Sequence, residues 1–449
     1  MQPLNNLFIS RIKEQFSTEA TNFLSAIDRE PRTSVRINRS KNAPQFANAT
    51  PIPWNADGMW LNERPLFTLD PLFHAGTYYP QEASSMVIGH ILRSIEHLLP
   101  TAPAVLDLCA APGGKSTLLA SWLNNSGVLV ANEIVRQRAW ILRENIAKWG
   151  FGNCVVTNAD SATIGQIGAT FDLALIDAPC SGEGMFRKDD TARTEWSADN
   201  AAMCADRQKE IITNVWDSIA EGGIVIYSTC TFNPAENELQ AEWINQHFDV
   251  EFISIPMQPQ WGISTVPFSC GEGYAFYPHK VDGEGFFVCA MRKTSGENRR
   301  IKPSKKSILT EARNVSIPLL HPTNYIAMQL SDELIALPRS QATLLATIAT
   351  KLRPIWIGTP LGKLTRKELI PAEELALQTA IDTSAYPIIN LSPTDALHYL
   401  RGEWTYTQTT PQGWCIVACN NQPIGFVKAM GNRVNNYWPK DWRIRMQIS

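Results

Sequence analysis

The feature that most constrains the fold is a regular alternation of apolar segments and helical patterns between residues 103 and 292. The apolar segments are unbroken runs of Val, Ile and Leu, which is typical of strands buried on both faces of a parallel sheet. Strand and helix in alternation predict an α/β domain with helices on both sides of that sheet. The predicted strands are residues 104–109, 128–132, 154–158, 171–176 and 224–228, and the predicted helices are residues 115–123, 135–149, 198–221 and 235–248.

A Gly-containing turn follows later in the chain and predicts an antiparallel hairpin of residues 274–277 and 286–291 that closes the sheet edge. The full chain of 449 residues is too long for one compact core. The predicted divisions are a helical and mixed N-terminal extension, the α/β domain, a basic linker, a small mixed module and a β-rich C-terminal domain. Their bounds are residues 1–100, 101–294, 295–308, 309–385 and 386–449.

Composition predicts a cytoplasmic protein. We expect it to be a monomer that does not contact membranes. Hydrophobic residues make up 44% and charged residues 18% of the chain, and no apolar run is long enough to span a bilayer. Residues 1–16 have the pattern of an amphipathic helix and lack the apolar core of a signal peptide. Nine cysteines without regular spacing are typical of reduced intracellular thiols.

The net charge of −3 hides two basic stretches. Residues 292–313 contain eight Lys or Arg against two acids, and residues 401–449 contain six against two. The second stretch interleaves its cations with Trp404, Tyr406, Trp414, Tyr437, Trp438 and Trp442. Basic residues mixed with aromatics suit a phosphate backbone and unstacked bases. The alternative is a solvated face above core aromatics.

Two cysteines follow the ends of two predicted strands. Cys180 lies in Asp-Ala-Pro-Cys-Ser-Gly, and Cys230 lies in Tyr-Ser-Thr-Cys-Thr. Because neighbouring parallel strands end at one edge of a sheet, this placement predicts sulfur chemistry there.

A Gly-rich loop runs from the first predicted strand into a helix and predicts a ligand site. Its residues are Cys109, Ala110, Ala111, Pro112, Gly113, Gly114 and Lys115. The loop ends like a phosphate-binding P-loop, but that motif requires Gly where this chain has Cys109. The dinucleotide G-x-G-x-x-G pattern is absent as well.

Acidic residues follow four successive strands and indicate the cofactor. Asp107 precedes the Gly-rich loop, and Glu133, Asp160 and Asp177 follow the next strands. A carboxylate after the second strand can accept hydrogen bonds from ribose hydroxyls, and one after the third can meet an adenine amino group. S-adenosylmethionine has both groups and no phosphate, so this pattern predicts it as the cofactor. For any single acid the alternative is a helix N-cap.

Several stretches resemble the Nop/Sun group of RNA cytosine-5 methyltransferases. They are residues 106–117, 176–187 and 226–238, with SVRIN at 34–38, PW at 53–54, YPQEASSM at 79–86, PH at 278–279 and residues 283–287. The segment from 391 to 443 is similar to the C-terminal extension of the bacterial branch that modifies small-subunit ribosomal RNA. The resemblance implies a Rossmann-like S-adenosylmethionine-dependent methyltransferase sheet with a PUA-like RNA-binding domain. It also implies that small-subunit (16S) rRNA, free or in the assembled subunit, is the partner.

The resemblance also implies the residue roles. Cys230 is the nucleophile that adds to cytosine C6, and Cys180 resolves the adduct. Asp177 bonds the N3/N4 edge of the base, and Lys115 orients the acids and the base. The implied cofactor-binding set is Cys109, Ala110, Ala111, Pro112, Gly113, Gly114, Lys115, Glu133, Asp160 and Asp177.

Three alternatives stay open at this stage. A transfer-RNA target would use the same reaction, whereas a non-catalytic ribosome-assembly factor would be expected to have lost acids or thiols. A DNA methyltransferase would use Cys180 as its nucleophile and would not need Cys230. No metal site is predicted, because Cys415 and Cys419 have no second ligand pair and suit a strand interior.

Overall fold

Four α-helices and a four-stranded sheet form the N-terminal region of the computed structural model, which describes residues 2–299, 306–366, 368–405, 411–431 and 433–448. The sheet has the order β2-β3-β1-β4 and is antiparallel at each pairing. The elements are α1 (Asn6–Phe16), α2 (Ala20–Ile27), β1 (Thr33–Ile37), β2 (Thr50–Ile52), β3 (Asn55–Leu61), α3 (Pro71–His74), β4 (Tyr78–Pro80) and α4 (Ile88–Ile95).

A mixed sheet forms the centre of the molecule. Its elements are β5 (Ala104–Asp107), α5 (Gly114–Leu123), β6 (Val128–Asn132), α6 (Arg136–Trp149), β7 (Cys154–Thr157), α7 (Ser161–Gly165), β8 (Phe171–Asp177), α8 (Asp190–Glu195), α9 (Ala198–Val215), β9 (Ile219–Thr229), α10 (Glu238–His247), β10 (Val250–Phe252), β11 (Ser264–Phe268), β12 (Gly271–Phe276) and β13 (Phe286–Lys293). Strands β7, β6, β5, β8 and β9 lie side by side and are parallel. Strand β13 joins β9 antiparallel.

Alternate residues of the parallel strands face opposite cores. On β5, for example, Val105 belongs to the core under α4, α5 and α6, whereas Leu106 belongs to the core under α7, α9 and α10. Both residues are fully buried. This two-sided burial accounts for the unbroken apolar strands, and the predicted parallel sheet with helices on both faces is confirmed.

The structure corrects three predicted details. Helix α9 ends at Val215 and not at 221, because residues 219–221 already belong to the long strand β9. The predicted hairpin is present as β12 and β13, but it does not close the sheet, since β11 pairs outside β12. Two further short helices, α7 and α8, were not predicted, because each is too short to show a helical period.

Two smaller sheets follow in the C-terminal part. Their elements are β14 (Thr310–Glu311), β15 (Tyr325–Leu330), β16 (Glu333–Pro338), α11 (Ala342–Leu352), β17 (Trp356–Ile357), β18 (Thr359–Leu364), β19 (Leu369–Pro371), α12 (Glu373–Ala376), β20 (Ile388–Leu391), α13 (Pro393–Arg401), β21 (Gly413–Cys419), β22 (Gln422–Ala429) and β23 (Val434–Asn436). One sheet has the order β14-β15-β16-β18-β19, and the other β20-β21-β22-β23.

The C-terminal part is fastened to the central sheet. Strand β17 pairs antiparallel with β7 and extends that sheet, and Leu345 of α11 is buried in the same core as β5 and β8. The predicted linker contributes as well, because Arg299 forms an ion pair of 2.5 Å with Asp172 at the start of β8. Linker residues 300–305 lie outside the described residues.

The aromatic residues of the C-terminal domain divide into two groups. Trp404, Trp438 and Trp442 are buried. These three residues therefore belong to the core, as the alternative to RNA contact predicted. Trp414 and Tyr437 are partly exposed and pack edge to face with ring centroids 4.6 Å apart. Tyr406 lies outside the described residues. Among the described residues, no helix combines the length and hydropathy needed to cross a membrane.

Candidate active site

The two predicted cysteines meet where β8 and β9 end. The parallel register places Asp177, the last residue of β8, opposite Ser228. Cys230 directly follows β9, and Cys180 lies three residues beyond β8. The two Sγ atoms are 3.3 Å apart, so the two thiols are in direct contact.

A close approach at Gly184 holds the two cysteine loops together. Its N–H donates to the carbonyl oxygen of Cys230 at 2.8 Å. A Cβ atom at this position would lie 2.8 Å from that oxygen and 2.6 Å from the carbonyl oxygen of Gly285. Only glycine therefore allows the three loops to meet.

The N-terminal helices brace these loops from outside. The buried carboxylate of Glu183 accepts hydrogen bonds from Arg11 of α1, from the indole of Trp196 and from the backbone N–H of Phe232. Phe8 of α1 packs in the same apolar cluster as Phe232. Helix α1 therefore supports both the segment after Cys180 and the segment after Cys230.

Lys115 and Asp177 form an ion pair beside the thiols. Lys115 Nζ donates to Asp177 Oδ2 at 2.8 Å, and Ser228 Oγ donates to Asp177 Oδ1 at 2.7 Å. Burial acts to lower the pKa of Lys115, but the charge and hydrogen bond of Asp177 oppose burial and the net effect raises it. Lys115 therefore stays charged and turned toward Asp177, which differs from the phosphate-binding role of a P-loop lysine.

The surroundings of Cys180 favour its neutral thiol. The hydrogen bond with Cys230, burial and the nearby carboxylate of Glu236 raise the pKa of the Cys180 thiol well above its usual range. Cys180 is therefore protonated at neutral pH. A protonated thiol is a poor nucleophile.

A cavity of about 320 Å³ opens onto Cys230, Lys115 and Asp177. The Gly-rich loop lines it through Cys109, Ala110, Ala111, Pro112 and Gly114. The other lining residues come from three segments for which the sequence analysis predicted no role in the site. They are Tyr79, Pro80, Gln81, Glu82, Ser85, Gly184, Met185, Glu284, Gly285 and Phe286. The stretches YPQEASSM and 283–287 were already conspicuous in sequence as family matches, and this signal could have identified them.

A second cavity of about 600 Å³ lies across the ends of β6 and β7. Glu133 and Asp160 line it with the apolar side chains of Leu108, Ile134, Val135 and Ile211. Cys109 lines both cavities, and burial raises its pKa so that it remains a thiol. The predicted cofactor residues are therefore divided between two adjoining cavities.

Three predicted residues are placed differently from the simplest expectation. Gly113 lines neither cavity and turns the loop into α5 with a φ of +118°. Asp160 caps α7 by accepting the N–H of Thr163 at 2.7 Å. One of its carboxylate oxygens therefore has the N-cap role that was the alternative to cofactor binding. Asp107 lies beneath the loop, where Ser116 donates to it at 2.6 Å and burial raises its pKa to about 7.

The larger cavity fits S-adenosylmethionine by the chemistry of its lining. The Glu133 carboxylate accepts the N–H of Val135 at 2.9 Å and lies 3.4 Å from Arg138, which also donates to the carbonyl of Ala111. Each carboxylate oxygen has a second lone pair that can accept a ribose hydroxyl. The apolar side chains around Ile134 suit a flat purine ring.

Comparisons with known proteins identify the family. A family model described as 16S rRNA methyltransferase RsmB/F matches residues 98–292, one for the N-terminal domain of 16S rRNA methyltransferase RsmF matches residues 4–83, and one for the methyltransferase RsmF PUA domain matches residues 386–444. Ribosomal RNA small subunit methyltransferase F of Shewanella oneidensis is 32% identical over 472 residues, which cover 98% of this chain and 97% of that protein. The chain belongs to the RsmF family of 16S rRNA methyltransferases.

Other similar proteins agree with this assignment. Ribosomal RNA small subunit methyltransferase F of Escherichia coli O139:H28 is 31% identical over 97% of this chain and 95% of its own length. A methyltransferase homolog protein from Pyrococcus horikoshii has a similar structure, with 29% identity, a TM-score of 0.54 and coverage of 64% of this chain and 95% of its own. NSun6 from the same organism, solved with SFG, shares the fold at 19% identity, with a TM-score of 0.55 over 65% of this chain and 99% of its own.

Family membership confirms the predicted family, the fold class, the methyltransferase activity and S-adenosylmethionine as the cofactor. It does not assign residues to roles. Within the part of the chain that the structure describes, no three His, Cys, Asp or Glu side chains lie together as metal ligands. Cys415 and Cys419 are buried in β21.

Replacing Glu133 by Ala should weaken S-adenosylmethionine binding by about 1–3 kcal/mol, the cost of leaving the ribose hydroxyls without their acceptor. Isothermal titration calorimetry measures this change. Glu251→Ala, at an exposed position of β10, is the control and should bind as wild type. Equal affinity of both variants would contradict the role of Glu133.

Proposed function

We propose that this protein methylates C5 of a cytosine in 16S rRNA, with Cys230 as the nucleophile and Cys180 as the residue that resolves the adduct. The observation that carries the proposal is the contact of the two thiols, 3.3 Å apart, beside the Lys115–Asp177 ion pair. Family membership supplies the reaction class and the RNA. The geometry supports the assignment of residues.

Cytosine C5 needs activation before it can accept a methyl group. The Cys230 thiolate adds to C6, and the electrons of the C5–C6 double bond then make C5 nucleophilic. The cofactor supplies the methyl group from its sulfonium. The C5 proton then leaves to a base, the C5–C6 double bond forms again, and the bond between C6 and Cys230 breaks.

The surroundings of the thiols favour this division of roles. The hydrogen bond with Cys230 and burial raise the pKa of Cys180, and a protonated thiol is a poor nucleophile, so Cys180 is the weaker candidate for the initial attack. Cys180 lies 3.3 Å from Cys230, so it remains beside the adduct once Cys230 is bonded to C6 and is placed to take part in its resolution.

Asp177 and Lys115 hold the base. With Lys115 and Ser228 each donating to one carboxylate oxygen, Asp177 is fixed at the cavity and retains lone pairs for the cytosine amino group. Lys115 also lies 5.1 Å from the ring centroid of Phe286, which lines the same cavity. The cytosine must be unpaired or flipped out to reach this enclosed position.

The flanking regions bind RNA, and the C-terminal one takes no part in the chemistry. Two of the three family models name 16S rRNA methyltransferases, and the third names the RsmF PUA domain, which supports ribosomal RNA over transfer RNA. We assign RNA contacts to residues 1–100 and 386–449, with the small module 309–385 between the α/β domain and the latter. The protein acts as a cytoplasmic monomer on 16S rRNA, free or within the small subunit.

The two cysteines should fail differently when each is replaced by Ala. With unmodified 16S rRNA and cofactor, Cys230→Ala should form neither methylated RNA nor a covalent adduct, because the nucleophile is gone. Cys180→Ala should attack and methylate but resolve slowly, so a protein–RNA species should persist on a denaturing gel. Cys154→Ala, at a buried thiol in β7, is the packing control and should turn over normally. Adduct in Cys230→Ala and none in Cys180→Ala would reverse the roles.

Three exposed cations of the C-terminal domain should contribute to RNA affinity. Arg433, Lys440 and Arg445 are exposed, and removing a cation that neutralises one phosphate should reduce the salt dependence of log K by about 0.7–0.9. The triple Ala variant should therefore bind 16S rRNA more weakly, with unchanged affinity for S-adenosylmethionine. Point substitutions are preferable to truncation, because Trp438 and Trp442 belong to a shared core.

Filter binding at several salt concentrations measures this effect. Lys209→Ala, at a partly exposed position of α9, is the control for charge and should keep the wild-type slope. A triple variant with the wild-type slope would show that this face of the domain does not contact phosphates.

A further inference from the structure

Two consecutive buried residues, Glu236 and Asn237, contact the segments that carry the two cysteines. Glu236 is completely buried, and Asn237 is 4% exposed. They lie between Cys230 and helix α10, and neither lines the two cavities described above. The Asn237 side chain contacts the segment that carries Cys230, and the Glu236 side chain contacts the segment that carries Cys180.

Asn237 holds the residues on both sides of Cys230. Thr229 Oγ1 donates to Asn237 Oδ1 at 2.6 Å, and Asn237 Nδ2 donates to the carbonyl oxygen of Thr231 at 3.0 Å. The amide oxygen of Asn237 therefore binds the residue before Cys230, and the amide nitrogen binds the residue after it. This pair of bonds fixes the backbone from which the Cys230 thiol projects.

Asn237 makes these bonds instead of capping a helix. It occupies the N-cap position of α10, where an Asn side chain ordinarily accepts a backbone N–H of the first turn. Here the side chain makes no capping hydrogen bond. The contribution to helix stability has been replaced by contacts with the Cys230 segment.

Glu236 holds the residue after Cys180. Its carboxylate accepts the N–H of Ser181 at 2.8 Å and the Ser181 hydroxyl at 2.5 Å. Gln208 donates both to Glu236 at 3.1 Å and to the carbonyl oxygen of Pro179 at 3.0 Å. The backbone on either side of Cys180 is therefore fixed by Glu236 and by a partner of Glu236.

The two halves are also joined directly. The hydroxyls of Ser181 and Thr231 are 2.9 Å apart, and Tyr227 lies 2.7 Å from the carbonyl oxygen of Glu236 and 3.0 Å from the side-chain oxygen of Gln208. Burial raises the pKa of Glu236 to about 7. A protonated Glu236 can donate to Ser181 Oγ, which then donates to Thr231, so the network keeps its connections in either protonation state.

We propose that Glu236 and Asn237 are positioning residues for separate steps of the reaction: Asn237 holds Cys230 for attack on C6, and Glu236 holds Cys180 for resolution of the adduct. The inference rests on the proposed function, because it links each residue to the reaction step that is assigned to the cysteine beside it. A role limited to packing would instead affect both steps alike.

Single-turnover kinetics with unmodified 16S rRNA transcribed in vitro separate the steps. Adduct formation and decay are followed on denaturing gels after rapid quenching. Asn237→Ala should slow adduct formation by between about tenfold and about a hundredfold, the effect of a misplaced reacting group, and adduct should not accumulate. Glu236→Ala should form adduct at the wild-type rate but slow its decay by a similar factor.

Conservative variants distinguish positioning from folding. Glu236→Gln should decay nearly as fast as wild type, because the amide oxygen can accept the Ser181 N–H while the amide nitrogen donates to Ser181 Oγ. Ser181→Ala removes one contact only and should show a smaller defect in decay, which keeps the test informative if Glu236→Ala folds poorly. Asp172→Ala, at a buried carboxylate at the opposite end of β8, is the matched control and should change neither rate.

The Cys180→Ala and Cys230→Ala variants in the same assay separate the two levels of the proposal. If Cys180→Ala does not retain adduct, the assigned cysteine roles fail. If Cys180→Ala retains adduct but Glu236→Ala decays normally, only the positioning role fails. Equal slowing of formation and decay in both Glu236→Ala and Asn237→Ala would overturn the inference in favour of general packing.

Discussion

The parallel pairing of β8 with β9 determines the geometry of the whole site. These two strands occupy the middle of the sheet and are buried on both faces, so a one-residue slip would move every side chain into the opposite core and disrupt the packing of both. The register places Asp177 beside Ser228 and brings Cys180 and Cys230 into contact. The chemistry of two thiols on one cytosine ring therefore depends on a pairing stabilised by hydrophobic burial.

The site itself is assembled by regions that are distant in sequence. The N-terminal region contributes Tyr79 and Glu82 to the smaller cavity, and β13 contributes Phe286. Buried Arg36 connects the first region to the Gly-rich loop by donating to Thr117 and to the carbonyl of Gly114. The Lys115 and Asp177 side chains are 17% and 29% exposed, so a base bound in this cavity would cover them and strengthen their ion pair.

The sequence predicted the central sheet and the two cysteine loops because hydrophobic period and motif spacing are local signals. It predicted Glu133 and Asp160 as cofactor-binding residues for the same reason, and the structure places both in the lining of one cavity. The contacts of Glu236 and Asn237 were not predicted, because the sequence pattern placed both residues inside a helix of residues 235–248, whereas α10 begins at Glu238. Only tertiary structure shows that both are buried and turned toward the cysteines. The pairing of β17 with β7 was missed because a two-residue strand has no detectable period.

The central claim is that Cys230, and not Cys180, forms the bond to cytosine C6. Incubation of the wild-type protein with S-adenosylmethionine and 16S rRNA transcribed with 5-fluorocytidine tests it directly, because fluorine at C5 cannot leave as a proton does and the adduct is trapped. Peptide mass spectrometry after nuclease digestion then locates the attached nucleotide. The account predicts a modified peptide containing Cys230 and an unmodified Cys180. A nucleotide attached to Cys180 would contradict it.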